Sequence, residues 1–206
     1  RTKSSAASDV YKRQVPITAL EFGPEGERLF ASGYREVTIW NTISGELLGR
    51  LCNVAERVYD LAVSAEGRLL AVACGQPGRL GEVRLFDLAS GELRSVPVTT
   101  ADVVFAVAFS NDGNRLAAGS ADNKLRLVEV ESGKVTHELG SHSDWVNSVA
   151  WNADDSRLVT ASRDNTAKVF DASTGERIVS YHGHQNYVRA ALFHKNGKEI
   201  FSYQGY

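Results

Sequence analysis

Turn residues recur along this chain at a near-constant interval, and that recurrence limits the available folds more than any other feature. Gly26 (in GPEGERL), Gly67 (SAEGRLL), Gly113 (SNDGNRL) and Gly197 (HKNGKEI) hold one place in a repeating pattern. Asp155 (NADDSRL) takes that place in the fourth copy, and the intervals are 41, 46, 42 and 42 residues. A second marker keeps the same register: Gly45, Gly91, Gly133 and Gly175, each after Ser or Thr, at intervals of 46, 42 and 42. A third is the pair Trp40-Asn41, Phe86-Asp87, Val128-Glu129 and Phe170-Asp171. A period of this length implies a stack of supersecondary units, each burying one face against the next.

Within each copy, short apolar stretches alternate with turns bearing Gly or Asp, which predicts four short strands and an all-β fold. The first strand ends near Phe22, Val63, Phe109, Trp151 or Phe193. The third carries the period-two patterns Val37/Ile39, Val83/Leu85, Leu125/Leu127 and Ala167/Val169. Glycine at the first turn supplies the left-handed backbone of a bulged hairpin, and Asp155 can take it at some cost. No amphipathic helix of ordinary length is visible. The stretch GQPGRLG, Gly75 to Gly81, lengthens the second copy and reads as an extended loop, either a tolerated insertion or a place for function.

The chain sets 23 basic against 25 acidic residues, net charge −2, so no bulk attraction to nucleic acid or anionic membrane is expected. No apolar run approaches the ~20 residues needed to cross a bilayer. A protein or a small ligand is the expected partner class. Cys52 and Cys74 lie in apolar, strand-like stretches and read as buried small hydrophobes, with a disulfide left open. Residues 1–14 (RTKSSAASDVYKRQ) show no hydrophobic period and look like a translated sequencing-adapter artefact, the alternative being a disordered basic tail. The repeat-bearing domain is expected over 15–206, cut at both ends.

The period, the D/E-G turn and the aromatic-Asp pair together resemble the WD40 repeat, most closely over His142 to Asp171 (HSDWVNSVAWNADDSRLVTASRDNTAKVFD). The resemblance implies a WD40 β-propeller fragment of four four-stranded blades plus the start of a fifth. The repeats would run over approximately 15–53, 54–99, 100–141, 142–183 and a partial 184–206. In this family a buried network of His, Ser/Thr, Asp and Trp joins turn to strands. Here His142 matches the His, Asp164 the Asp, and Thr160 or Ser162 the hydroxyl, while Phe170 stands at the Trp place and removes a donor. His184 follows His142 by 42 residues and is read as its equivalent. The third copy keeps Asp122 but has Thr100 and Val128 at the His and Trp places, and the first has Trp40 without a clear Asp. The family pattern therefore implies a structural network in the fourth blade and mainly apolar cohesion elsewhere, with Asp164 mattering more than Asp122.

A second resemblance rests on GYREVTIWN, AERVYDLA, CGQPGRLGEVRLFD and TADVVFAVAFS in that order. They are similar to the propeller of large planctomycete-type proteins that also carry a c-type cytochrome domain. That likeness implies a bacterial, periplasmic setting, with the haem-attaching CxxCH outside this segment; otherwise a cytoplasmic one is expected.

Little in the chain suggests catalysis. His182 and His184 read as repeat residues rather than a metal pair, and Asp154-Asp155 as turn residues rather than paired acids. Gly75, Gly78 and Gly81 lack the GK[ST] and the helix of a phosphate loop. No catalytic residue, metal or cofactor is assigned. In propellers of this type, the residues leading into each first strand, with the one before the structural Asp, face one rim of the channel. Here they are Arg57 and Tyr59, Val103 and Phe105, Trp145 and Asn147, Tyr187 and Arg189, plus Arg163. Arg and aromatic side chains are the usual anchors of protein interfaces, so these are the partner-binding candidates, with blade packing as the alternative for each. The expected function is a non-catalytic protein-interaction scaffold. The alternatives are a propeller module of a cytochrome-containing protein, and a propeller enzyme whose site would lie in missing blades.

Overall fold

The computed structural model describes residues 16–55 and 57–205; the segment 1–14 read above as an artefact or tail lies outside the described residues, as do Val15, Glu56 and Tyr206. The described residues form eighteen strands and no helix. The first sheet holds β1 (Leu20–Phe22), β2 (Arg28–Ser32), β3 (Glu36–Asn41) and β4 (Leu47–Cys52). The second holds β5 (Val58–Val63), β6 (Leu69–Gln76), β7 (Leu80–Asp87) and β8 (Leu93–Thr100). The third holds β9 (Val104–Phe109), β10 (Arg115–Ser120), β11 (Lys124–Glu129) and β12 (Lys134–Gly140). The fourth holds β13 (Val146–Trp151), β14 (Arg157–Ser162), β15 (Thr166–Asp171) and β16 (Arg177–His182), and β17 (Val188–Phe193) pairs with β18 (Ile200–Gln204) in the fifth. Each sheet is an antiparallel meander in chain order, the topology that tight turns dictate. The last sheet thus carries a second strand beyond the first strand and turn expected.

The turn register holds at the one position without glycine. Asp155 adopts φ 57°, against 67° to 73° for the glycines at the equivalent turns. Its carboxylate turns that backbone into a contact between blades. Oδ1 accepts from Asn111 N at 2.8 Å and Asn111 Nδ2 at 2.6 Å, and Oδ2 from Asp112 N at 2.9 Å. Arg115 completes the clamp: its guanidinium donates to Asp155 O at 2.7 Å and lies 4.7 Å over the Trp151 ring, whose Nε1 donates to Ala108 O.

The core is divided among the seams between neighbouring sheets. Alternate residues of one strand serve opposite seams, as the period of two requires. In β6, Leu70, Val72 and Cys74 pack toward the first sheet, while Leu69, Ala71 and Ala73 pack toward the third. Both faces are buried, which explains the unbroken apolar run LLAVAC. Leu127, Leu158 and Phe170 fill the seam between the third and fourth sheets, and Val159, Val169 and Val188 the next. Each such large side chain contributes roughly 1.5–3 kcal/mol on burial. The terminal sheets each have one neighbour among the described residues. Accordingly Leu20 and Phe22 are 56% and 59% exposed, where Leu61, at the place of Leu20 in the second sheet, is 3%.

Two local readings need correction. Gly75 to Gly81 is not an extended loop: β6 and β7 continue as a hairpin arm, pairing Gly75 with Gly81 and Gln76 with Leu80. Asp102 Oδ1 accepts from Gly78 N at 2.9 Å and pins the arm. The arm lies so close to the 101–103 connection that a Cβ on Gly81 would collide with the Asp102 carbonyl. The cysteines do not match either: Cys74 is buried, its thiol pushed up to about 11 by burial, but Cys52 is exposed, and both thiols are free.

Candidate partner-binding rim and buried polar network

The meander places the start of every first strand at the same end of the stack as the turn joining second and third strands. At that end four of the five first strands, β5, β9, β13 and β17, carry a bulge. Val58 pairs with Cys74 and Asp60 with Ala73, which skips Tyr59. Val104 pairs with Ser120 and Ala106 with Gly119, which skips Phe105. Val146 pairs with Ser162 and Ser148 with Ala161, skipping Asn147; Val188 pairs with Gln204 and Ala190 with Tyr203, skipping Arg189. A bulge frees one residue from the ladder and re-aims its side chain. Four of the sequence candidates, Tyr59, Phe105, Asn147 and Arg189, are these freed residues.

The structure joins several of them in a band. The Tyr59 and Phe105 rings meet edge to face at 5.1 Å, and Phe105 lies 5.2 Å from Trp145. Guanidiniums cover the band: Arg57 lies 5.2 Å from the Tyr59 centroid and Arg163 4.5 Å from that of Trp145. Tyr187 and Arg189 make a separate pair at 5.5 Å, with Arg189 Nη2 donating to Tyr187 Oη at 3.0 Å. Trp145 remains 38% exposed. Val103 must be removed from the set: at 2% exposure it is buried against the β6–β7 arm, where a Cβ on Gly75 would come within 3.1 Å of the Val103 Cα. Asn147 is partly spent, donating through Nδ2 to Val188 O of the next blade at 3.1 Å.

Beneath the rim lies the fourth-blade network. Asp164 Oδ2 accepts from His142 Nδ1 at 2.8 Å, and Thr160 Oγ1 donates to His142 Nε2 at 2.7 Å. A carboxylate can only accept, so the proton of a neutral ring sits on Nδ1. Both candidate hydroxyls take part, since Ser162 Oγ accepts from Asp164 N at 3.0 Å. Asp164 also accepts from Ser143 N, Thr166 N and Thr166 Oγ1. Burial pushes its carboxyl up, but the Thr166 hydroxyl, His142 and the Ser143 N–H outweigh that and hold it well below the carboxylate range. Burial drives His142 down to about 4 against the opposing pull of Asp164, so the ring is neutral near pH 7. Phe170 is buried in the neighbouring seam. His184 Nε2 meets Ser202 Oγ at 2.7 Å, the counterpart of the His142–Thr160 bond. In the first blade the Trp40 indole donates to Thr38 Oγ1 at 2.9 Å.

The sequence reading missed a cation in the third strand of three blades, half-buried in the second and buried in the third and fourth. Arg84, Arg126 and Lys168 are spaced by 42 residues, and that spacing was the available signal. Lys168 Nζ donates to Ser141 O at 2.9 Å and to Asp164 at 3.3 Å. Arg84 donates to the carbonyls of Val54 and Asn53. Arg126 bonds Asp122 through Nη2 at 2.6 Å, Ser120 at 2.9 Å and Glu138 at 3.0 Å, with only 8% of its side chain exposed. The third blade is therefore not left to apolar packing; Arg126 supplies the polar tie that Thr100 cannot, since the Thr100 hydroxyl turns to Asp102 O.

One carboxylate pair gives a pH prediction. Asp60 Oδ2 accepts from Val107 N at 3.0 Å and so links β5 to β9, yet burial raises it to about 6 despite that bond and the one from Leu61 N. Glu21 is raised to about 7 by burial and then by the Asp60 charge. Groups raised in the fold stabilise it below their unfolded values of 3.8 and 4.5, and that contribution fades as pH rises through 6 to 7. His142 acts oppositely: its contribution is complete above 6.5 and is lost as pH falls toward 4. Replacing both acids, Glu21→Gln with Asp60→Asn, should therefore leave a protein that loses stability steadily from pH 7.5 to 5. The parent should lose about 1–2 kcal/mol less over that interval. Urea midpoints at the two pH values decide it, and equal slopes would refute the assignment.

Comparison with known proteins agrees with this architecture. The family model "WD domain, G-beta repeat" matches residues 133–171, and "Anaphase-promoting complex subunit 4 WD40 domain" matches 97–147. The chain is 38% identical over 72 residues to "Intraflagellar transport protein 122 homolog" of Danio rerio and 34% over 70 residues to that of Xenopus tropicalis. These matches cover 35% and 34% of this chain and 6% of each relative, so the chain spans only a small part of the curated relatives it matches. The repeat models fall on the third and fourth blades, where the 42-residue register and the four-stranded meander are clearest, and they show WD40 repeats in that part of the chain.

Proposed function

We propose that this chain is a non-catalytic protein-interaction scaffold whose contact surface is the bulged rim. The observation that carries the reading is the coincidence of the ladder-free residues Tyr59 and Phe105 with the band of rings and guanidiniums. Aromatic and Arg side chains held on a rigid sheet lose little entropy on binding, which is what interface anchors need. The Asp164–His142–Thr160 line has the spacing of a nucleophilic triad. Its hydroxyl residue is 0% exposed and the His142 side chain likewise, so no carbonyl group can reach it, and the line is read as structural. The matching domain name "Anaphase-promoting complex subunit 4 WD40 domain" sets that domain in a protein assembly, which supports the same reading. The cytochrome-linked alternative rests on the sequence likeness alone.

The test is to pan a random dodecapeptide library against the chain. The counter-targets are a rim variant, Tyr59→Ala with Trp145→Ala, and a far-face variant, Glu92→Ala with Glu131→Ala. Peptides that bind the chain and the far-face variant but lose at least ten-fold on the rim variant are expected. Binders indifferent to the rim, or none at all, would overturn the proposal.

A further inference from the structure

The near-neutral total hides a separation of charge between the two ends of the stack. The turns joining third to fourth strands, with those joining first to second, lie at the end away from the rim. There the exposed acids Glu25, Glu46, Glu66, Glu92, Glu131 and Glu176 outnumber the exposed bases Arg68, Lys195 and Lys198, and Glu66 and Glu131 are paired with Arg68 and Arg94. The rim end carries exposed guanidiniums instead: Arg35 and Arg79 in the turns joining second to third strands, then Arg57, Arg163 and Arg189. Rim acids among the described residues are already engaged. Arg50 holds Glu36 at 2.8 Å, Arg126 holds Asp122, and Asp164 belongs to the buried network. Asp102 caps backbone N–H groups of the hairpin arm. Asp144 caps Trp145 N and comes no nearer than 3.9 Å to Arg163. Arg163 thus keeps only a loose ion pair with Asp144, and Arg35, Arg57, Arg79 and Arg189 have no acid partner among the described residues. Three of the five guanidiniums are held against rings that fix their orientation.

From this we infer that the rim takes a protein segment bearing spaced carboxylates around an apolar side chain; the inference rests on the scaffold reading above and names the partner's chemistry. A guanidinium presents a planar fork that matches a carboxylate with two parallel hydrogen bonds. The half-exposed Trp145 face between Arg163 and Phe105 offers the apolar contact. A nucleic-acid strand would also use rings and guanidiniums. Its continuous phosphates, however, would run past the Asp102 and Asp144 carboxylates that interrupt the rim. Separated Asp or Glu side chains can step over them.

The experiment uses the rim-dependent dodecapeptides from the panning above. Their binding to the whole chain is followed by fluorescence anisotropy, beside counterparts with every Asp and Glu changed to Asn and Gln. The expected result is a set enriched in Asp and Glu. Its affinity should fall at least ten-fold in the amide counterparts, and at least five-fold between 50 and 300 mM salt, as screening of exposed charges requires. The variant Arg57→Gln with Arg163→Gln and Arg189→Gln, with an unchanged melting curve, should lose at least ten-fold. Rim-dependent binders of neutral or basic composition would overturn the charge assignment while leaving the scaffold reading intact. Displacement of the peptides by a thymidine oligonucleotide at lower concentration than by free acidic peptide would overturn it in favour of nucleic acid. The absence of any rim-dependent binder would remove both readings together.

Discussion

Asp164→Ala should lower the unfolding free energy of the full chain by about 3–5 kcal/mol, the largest loss expected from any single side chain of the polar network. The carboxylate accepts from His142, Ser143, Thr166 and Lys168 at once, and only 6% of it is exposed. Removing it strands the Lys168 ammonium and the His142 N–H in a space that water barely reaches, and an unmet buried group costs more than a made bond returns. Asp164→Asn keeps an acceptor and should lose about half as much. The sequence pattern ranks Asp122 as much the weaker site, whereas the Arg126 guanidinium depends on it. Asp122→Ala should therefore cost about 2–3 kcal/mol, because Glu138 alone would remain to face that charge. Urea unfolding of the single variants decides the matter. A loss below about 0.5 kcal/mol for Asp122→Ala would show that Arg126 finds water instead.

The second large effect is expected at Asp155. Asp155→Ala removes an acceptor for three N–H donors of the preceding blade and leaves a Cβ at positive φ, for a loss of about 3–4 kcal/mol. Asp155→Gly relaxes the backbone and should cost about 1 kcal/mol less than Ala. The contact crosses between blades, so its signature is coupling. A cycle of Asp155→Gly with Asn111→Ala should show at least 1 kcal/mol of non-additivity. Simple additivity would mean that the clamp does not hold the third and fourth blades together.

The turns were legible because they answer to local backbone geometry. Positive φ favours Gly, Asp or Asn, Arg35 at φ 60° being the exception, and that preference marks the text at intervals of 41 to 46 residues. Strand ends were legible for the same reason, and all five first strands finish at the residue named from sequence. What escaped was set by distance rather than by pattern. Val103 sits in the same register as Arg57 and Trp145, yet the hairpin arm of its neighbouring blade lies against it and buries it. Gly75 and Gly81 read as loop glycines, whereas their role is to let two backbones come together. Cys52 lies in an apolar run like Cys74, but its strand is the outermost of its sheet and faces solvent. Arg126 and Lys168 were overlooked because a search for a missing His or Trp does not notice the cation that replaces its work.

The bulge at the head of β5, β9, β13 and β17 has a consequence for how such a surface can change over generations. Tyr59, Phe105 and Arg189 have no opposite number in the ladder, while their neighbours on both sides stay paired. Exchanging one of them leaves every rung of the ladder in place, and of the contacts between blades removes only the ring pairs Tyr59–Phe105 and Phe105–Trp145 at the rim. Asn147 is the partial exception, since its amide also reaches the next blade. Recognition and ladder pairing thus draw on different residues of the same strand. A repeat protein built this way can acquire a new specificity one blade at a time, without first becoming more stable to tolerate the change.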